Sequence, residues 1–242
     1  MRPNNRLPNQ LRPLTFELGF TRTSAGSVLV RSGATTVLCT CSVEPAVPPF
    51  LVGTGKGWMT SEYAMLPGST QQRKQRDKGG KVDGRSVEIQ RLIGRSLRAV
   101  TDLSKLGERT LWLDCDVLEA DGGTRTAAIN GAFVALCIAL NKNANVIGPP
   151  GAIITDSVAA ISVGIVDGET RLDLEYVEDR DADVDMNLVM TGSGRFIEVQ
   201  GAGEEATFSA DQLMSLIVTG TDGIAEVTRL QKAALGDAWP IG

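Results

Sequence analysis

The chain has 242 residues, 42% of them hydrophobic and 22% charged, an ordinary globular composition with length enough for a substantial core. Its net charge of −5 argues against a generally cationic nucleic-acid binder. Histidine is absent, which excludes Ser-His-Asp and Cys-His catalysis and His-ligated metals; any chemistry falls to carboxylates, Arg, Lys, hydroxyls or a bound cation.

The four cysteines, Cys39, Cys41, Cys115 and Cys137, lack metal-ligand spacing and read as buried reduced thiols. No run is expected to span a membrane. Met1 to Arg6 lacks the apolar core of a signal peptide, so a cytoplasmic protein is expected.

In chain order, residues 1–13 are polar and proline-punctuated, and they predict an extended arm with Arg2, Arg6 and Arg12 exposed. Ser27–Val30 and Thr35–Val43 predict a hairpin turning at Gly33, and Trp58–Met65 a further strand. Residues 67–84 predict a flexible basic loop. From Arg85 to Leu103 the spacing is helical, with Ile89, Leu92, Ile93, Leu97 and Val100 on the apolar side and Arg91, Arg95 and Arg98 on a solvated one.

Thr110–Leu118 alternates as a strand does, and Ala127–Leu140 is apolar enough for a buried helix. Between them lies Asp121-Gly122-Gly123-Thr124-Arg125. A Gly-Gly turn from strand to helix directs the first free helix N–H groups outward, an anion site to which Arg125 adds a charged fork. The same residues also suit a plain turn carrying a surface Arg.

Strands are expected at Ala159–Val166, Thr170–Tyr176, Val184–Met190 and Arg195–Val199, joined by hairpins. A long final helix follows, with a capping box at Ser209 and Gln212 and a bend or break at Gly220 and Gly223. This order predicts one α+β domain over residues 1–242, with mixed and antiparallel sheets in two pseudo-symmetric βαβ-type halves.

Charge is segregated. Nine Lys and Arg residues fall between Arg73 and Arg98, against Asp77, Asp83 and Glu88. Glu178 to Asp185 is acidic; a turn through Arg180–Asp183 followed by a strand would turn Val184, Met186 and Leu188 inward and Asp185 and Asn187 outward. Oxygen-only ligands there suit Mg²⁺ or Mn²⁺, although taken by itself the run reads better as an acidic hairpin turn. An anion loop, an oxygen-rich cation candidate and a basic loop in one chain point to phosphoryl or nucleotidyl transfer on a polyanion, where positioning and charge neutralisation matter more than an acid–base pair.

Several long stretches resemble the ribonuclease PH family: Met1-Arg2-Pro3, Gly26–Val30, Val37–Thr40, Glu62-Tyr63 with Met65-Leu66-Pro67, and Glu88–Ile93. Leu113–Leu118, Ala120–Ala127, Asp173–Asp179, Asp185-Met186-Asn187 and Ile197–Gly201 extend the likeness to the last helix. The resemblance implies a ribonuclease PH-like fold and a phosphorolytic 3′-to-5′ exoribonuclease that trims tRNA precursors. Inorganic phosphate would be the co-substrate, nucleoside diphosphates the products, and nucleotide addition to 3′ ends the reverse reaction. It implies phosphate binding at Arg85, Gly123, Thr124 and Arg125, catalytic and Mg²⁺-holding roles for Asp179 and Asp185, tRNA contacts at Arg73 and Arg76, and a hexameric trimer of dimers. Gly68 departs from the pattern, standing where the family commonly has Arg. A hydrolytic nuclease using the same cation site, and a non-catalytic ring subunit related to exosome proteins, are the alternatives.

Overall fold

A computed structural model describes residues 2, 5–76, 83–204 and 206–241. The middle of the expected basic loop, 77–82, lies outside the described residues.

The first sheet contains β1 (Leu14–Leu18), β2 (Gly26–Ser32), β3 (Thr35–Glu44), β4 (Trp58–Met65) and β5 (Thr110–Glu119), in the order β1-β2-β3-β5-β4. All its pairs are antiparallel except β4–β5. The parallel pair requires a crossover, and α1 (Gly84–Arg98) supplies it. The helix buries Ile89, Leu92, Ile93 and Leu97 as its spacing predicts. It ends earlier than expected because Thr101 leaves to bridge Ile154 and the Asp102 side chain caps the next turn at Ser104 N–H. Arg98 is not simply solvated: it donates to the Met59 carbonyl at 3.0 Å and lies over the Trp58 ring.

The second sheet is wholly antiparallel. It comprises β6 (Val158–Val166), β7 (Glu169–Leu172), β8 (Val184–Thr191) and β9 (Phe196–Gly203), in the order β7-β6-β8-β9. Each half thus has its own sheet, but among the described residues the βαβ crossing occurs only in the first.

Between the sheets runs α2 (Thr124–Lys142), whose flanks are buried on every side from Ala127 to Cys137. By length and hydropathy it could cross a membrane, contrary to the reading that no run could, yet 83% of its apolar window is buried inside the protein. A helix that is apolar all round belongs in a core. Its one buried amide explains the docking: Asn130 donates to the Ala160 carbonyl at 2.9 Å and accepts the Ala160 N–H at 2.8 Å. Strand β7 pairs β6 only from Val163 to Val166, so Asn130 satisfies the strand edge that β7 leaves open. The cysteines are free and buried, and burial pushes the Cys41 and Cys137 thiols far up.

Two short helices, α3 (Ala144–Ile147) and α4 (Pro150–Ile153), occupy the Asn/Gly/Pro-rich connection after α2. Strand β7 stops at Leu172, short of the predicted Tyr176, because Asp173 turns to φ +54 and Glu175 caps α5 (Tyr176–Arg180). Helix α6 (Ala210–Leu235) opens with the predicted Ser209–Gln212 capping box. It runs unbroken through Gly220 and Gly223, which corrects the expected break. Those glycines serve close approach instead: a Cβ on either would collide with Leu188 or Leu172 of the second sheet.

The N-terminal arm is also corrected. Arg2, Arg6 and Arg12 are only 4%, 8% and 4% exposed. Arg2 grips Glu178 with two bonds of 2.7 and 2.8 Å, Arg6 adds a third at 3.2 Å, and Arg12 holds Asp173 at 2.7 Å. Buried guanidinium groups require such partners, and the acidic stretch 173–178 supplies them.

Candidate phosphate and cation site

The site begins where β5 ends. Gly122 and Gly123 adopt φ of +75° and +65°, which Gly reaches without steric cost. A Cβ on Gly122 would come within 2.6 Å of the Leu174 carbonyl oxygen, so the loop lies flush against the β7–α5 connection. Thr35 braces it from below, accepting the Asp121 N–H at 2.9 Å and donating to the Gly122 carbonyl at 2.7 Å. Arg12 donates to the Asp121 carbonyl. Gly123 is the residue before the first turn of α2, and no side chain caps that end. Its N–H groups are therefore available to an anion, favoured by the helix dipole.

The loop shares a cavity of about 400 Å³ with both halves of the chain. Arg85, Gly123, Thr124, Arg125, Asp179 and Asp185 all line it, with Ser162, Asn187 and Gln200. Arg85 enters from the first turn of α1, whose N-cap is Asp83. Asp179 comes from α5 and Asp185 from β8. On β8, Val184, Met186 and Leu188 are buried while Asp185 and Asn187 are half-buried on the opposite face, as the alternation predicts. In the β8–β9 register Asn187 faces Gln200.

Arg125 is held in place by residues for which sequence reasoning assigned no role. Its Nη1 donates to Gln200 Oε1 at 2.5 Å and lies 3.6 Å from Glu88 Oε1, and Gln200 Nε2 donates to Glu88 at 3.0 Å. Three elements distant in sequence meet there, so no local pattern exposes the network. Tyr63 is a second such residue: its buried hydroxyl donates to Thr124 Oγ1 at 2.8 Å.

The carboxylates differ in circumstance. The cavity walls partly desolvate Asp179 and raise its pKa, and the charge of Asp185 raises it further against the pull of Arg85, Arg125 and Arg12. Glu178, its neighbour in sequence, faces the other way. Burial works against its charge, but the Arg2 and Arg6 contacts win and hold the carboxyl below the usual glutamate value. The acidic run is therefore divided: Glu178 is neutralised inside the protein, while Asp179 and Asp185 share the cavity. Among the described residues no group of three or more Asp, Glu or Cys is placed to cage a metal. Two carboxylates with surplus negative charge fit an ion that keeps most of its waters, as Mg²⁺ does, rather than a closed structural site.

A second cavity, about 520 Å³, adjoins the first through Arg85, Gly123, Thr124 and Asp179, and reaches Gln71, Gln72, Lys74 and Tyr176. Arg73 and Arg76 are exposed beyond it and line neither cavity. Gly68 is exposed, with open space where a side chain would stand. A larger cavity of about 1160 Å³, between the arm and α6, contains none of the predicted site residues.

The family model "3′ exoribonuclease family, domain 1" matches residues 10–140, and "domain 2" of the same family matches 156–223. Ribonuclease PH of Rhodopirellula baltica is 59% identical over 232 residues, covering 94% of each chain. Ribonuclease PH of Bacillus subtilis is 56% identical over 243 residues, covering 99% of each. Among solved structures, rice (Oryza sativa) Rrp46 superposes with a TM-score of 0.78 at 21% identity, over 97% of this chain and all of that one. The Archaeoglobus fulgidus exosome with RNA bound to its active site matches with a TM-score of 0.77 at 18% identity, over 94% and 91%. At those identities the two structures establish the fold alone.

Proposed function

The chain belongs to the ribonuclease PH family of 3′ exoribonucleases, and on that premise we propose that the cavity at Gly123–Arg125 is where inorganic phosphate attacks the last phosphodiester of an RNA. The protein is a phosphate-dependent exoribonuclease of the nucleotidyltransferase class. The observation that carries the site reading is the meeting of anion donors and paired carboxylates in one cavity, contributed by both halves of the chain.

The α2 N-terminus and Arg125 hold the attacking phosphate, and Arg85 offsets repulsion between it and the scissile phosphate. A phosphate oxygen forms a bond to the terminal nucleotide's phosphorus, and the bond from that phosphorus to the preceding 3′ oxygen breaks. The released 3′ oxygen takes a proton. The products are a nucleoside diphosphate and an RNA shorter by one residue. Asp179 and Asp185 are the groups that would hold Mg²⁺ or Mn²⁺, which when bound supplies charge neutralisation at the leaving oxygen. No covalent enzyme intermediate is needed, which suits a chain without histidine.

The substrates proposed are tRNA precursors with 3′ extensions, reached in the cytoplasm. Arg73 and Arg76 contact the RNA body, and a hexamer built as a trimer of dimers gathers these basic loops around one pore. That arrangement lets an acidic chain bind a polyanion, since a local field governs the encounter.

The test is 3′ trimming of an extended tRNA with and without added phosphate, with product identification. Trimming should require phosphate and release nucleoside diphosphates. Equal rates in phosphate-free buffer, with monophosphates released, would establish the hydrolytic alternative instead.

A further inference from the structure

Two threonines lie in the first turn of α2, and their hydroxyls are used differently. Thr126 Oγ1 donates to the Gly123 carbonyl at 2.9 Å, the local bond that threonine commonly makes near a helix start. Thr124 Oγ1 instead accepts a bond, from Tyr63 Oη at 2.8 Å. Tyr63 is in β4, on the inward side of the strand with Met59 and Ser61, and is 3% exposed. A buried phenol must place its proton on an acceptor, and here the acceptor is Thr124.

A hydroxyl has one proton and two lone pairs. With one lone pair occupied by the Tyr63 O–H, the Thr124 proton has to point away from the phenol. Thr124 lines both cavities of the site, which puts its hydroxyl beside the space assigned above to phosphate. β-Branching restricts χ1 and so limits where the Thr124 oxygen can sit, while the bond from Tyr63 sets the direction of its proton. Burial pushes the Tyr63 phenol's pKa up, which favours the protonated, donating form.

We propose that Tyr63 is a positioning residue for phosphate: by donating to Thr124 from inside the core, it turns the Thr124 hydroxyl into a fixed donor to the attacking anion. The inference rests on the assignment of phosphate to the Gly123–Arg125 turn. Without the phenol proton, Thr124 is free to rotate and spend its own proton elsewhere, as Thr126 does.

The experiment is steady-state trimming of an extended tRNA, with phosphate varied at saturating RNA and RNA varied at saturating phosphate. Variants are Tyr63→Phe, Thr124→Val, the double variant and Arg125→Ala. Tyr63→Phe should raise the KM for phosphate by about three- to tenfold, the range for one ordinary hydrogen bond, because the Thr124 hydroxyl itself remains, and leave the KM for RNA unchanged. In the Thr124→Val background the same substitution should have no further effect on the phosphate KM, because the group it orients is gone. An unchanged phosphate KM in Tyr63→Phe, or an equal effect in both backgrounds, would overturn the proposal. Arg125→Ala separates the two levels. If it raises the phosphate KM while Tyr63→Phe does not, only the Tyr63 inference fails; if neither changes it, the phosphate assignment fails as well.

Discussion

Arginines in this chain occupy three different settings that residue type alone does not distinguish. Arg125 is mostly buried and faces the cavity, Arg73 and Arg76 are exposed on the loop, and Arg2 is sealed against Glu178. Arg125→Ala should therefore raise the phosphate KM at least tenfold, the scale of one lost charge-assisted contact, with little change in RNA affinity. Arg73→Ala with Arg76→Ala should do the reverse and flatten the salt dependence of RNA binding, which kinetics at two ionic strengths would show. Arg2→Met leaves a buried carboxylate short of its main partner and should cost about 3 kcal/mol, the low end for a broken buried pair because Arg6 and Arg171 remain near Glu178. Glu178 has a depressed pKa in the folded protein, so the pairing stabilises fully above the ordinary glutamate value and is lost as pH falls through the lower, folded one. Urea unfolding should thus show the wild type and Arg2→Met converging in acid and separating at neutral pH.

At the scale of elements, helix α2 decides where everything else goes. It starts at the anion turn, fills the space between the sheets and ties itself to β6 through Asn130. Its position brings the first-half residues Gly123–Arg125 against the second-half residues Asp179 and Asp185. Helix α6 covers the second sheet by a different device, its glycines letting Leu188 and Leu172 approach the backbone. Gly220→Ala should destabilise by about 1–3 kcal/mol through overpacking, although alanine has the better helix propensity. Gly84→Ala, at the exposed start of α1 with open space around it, should be neutral or slightly stabilising. Thermal melts of the two variants would test that contrast.

For the whole molecule, the cavity is assembled from both halves of the chain, and the arm closes the arrangement from behind. Arg12 touches the anion turn with one side of its guanidinium and Asp173 with the other, linking the loop to the segment that leads into α5. The hexamer proposed here predicts a light-scattering mass near six times 25.7 kDa at micromolar concentration; a monomer would contradict it. Weakening of trimming by salt beyond what single-chain contacts explain would follow from basic loops gathered in one ring.

Most of the strands and helices were legible in the sequence, because β8 alternates between core and cavity over Val184–Leu188 and α1 repeats its apolar residues at helical spacing. The Gly-Gly turn from strand to helix was legible, because glycine and a following helix carry their physics locally. Absence of histidine narrowed the chemistry before any fold was known. The arm was misread because three arginines in a polar, proline-containing stretch look solvated, and only the fold brings Asp173 and Glu178 to them. The continuity of α6 was misread for a related reason: whether a glycine breaks a helix or admits a neighbour depends on what packs there. Glu88, Gln200 and Tyr63 acquired roles only when separate elements met, since a hydrogen bond between residues far apart in the chain leaves no periodic trace in it.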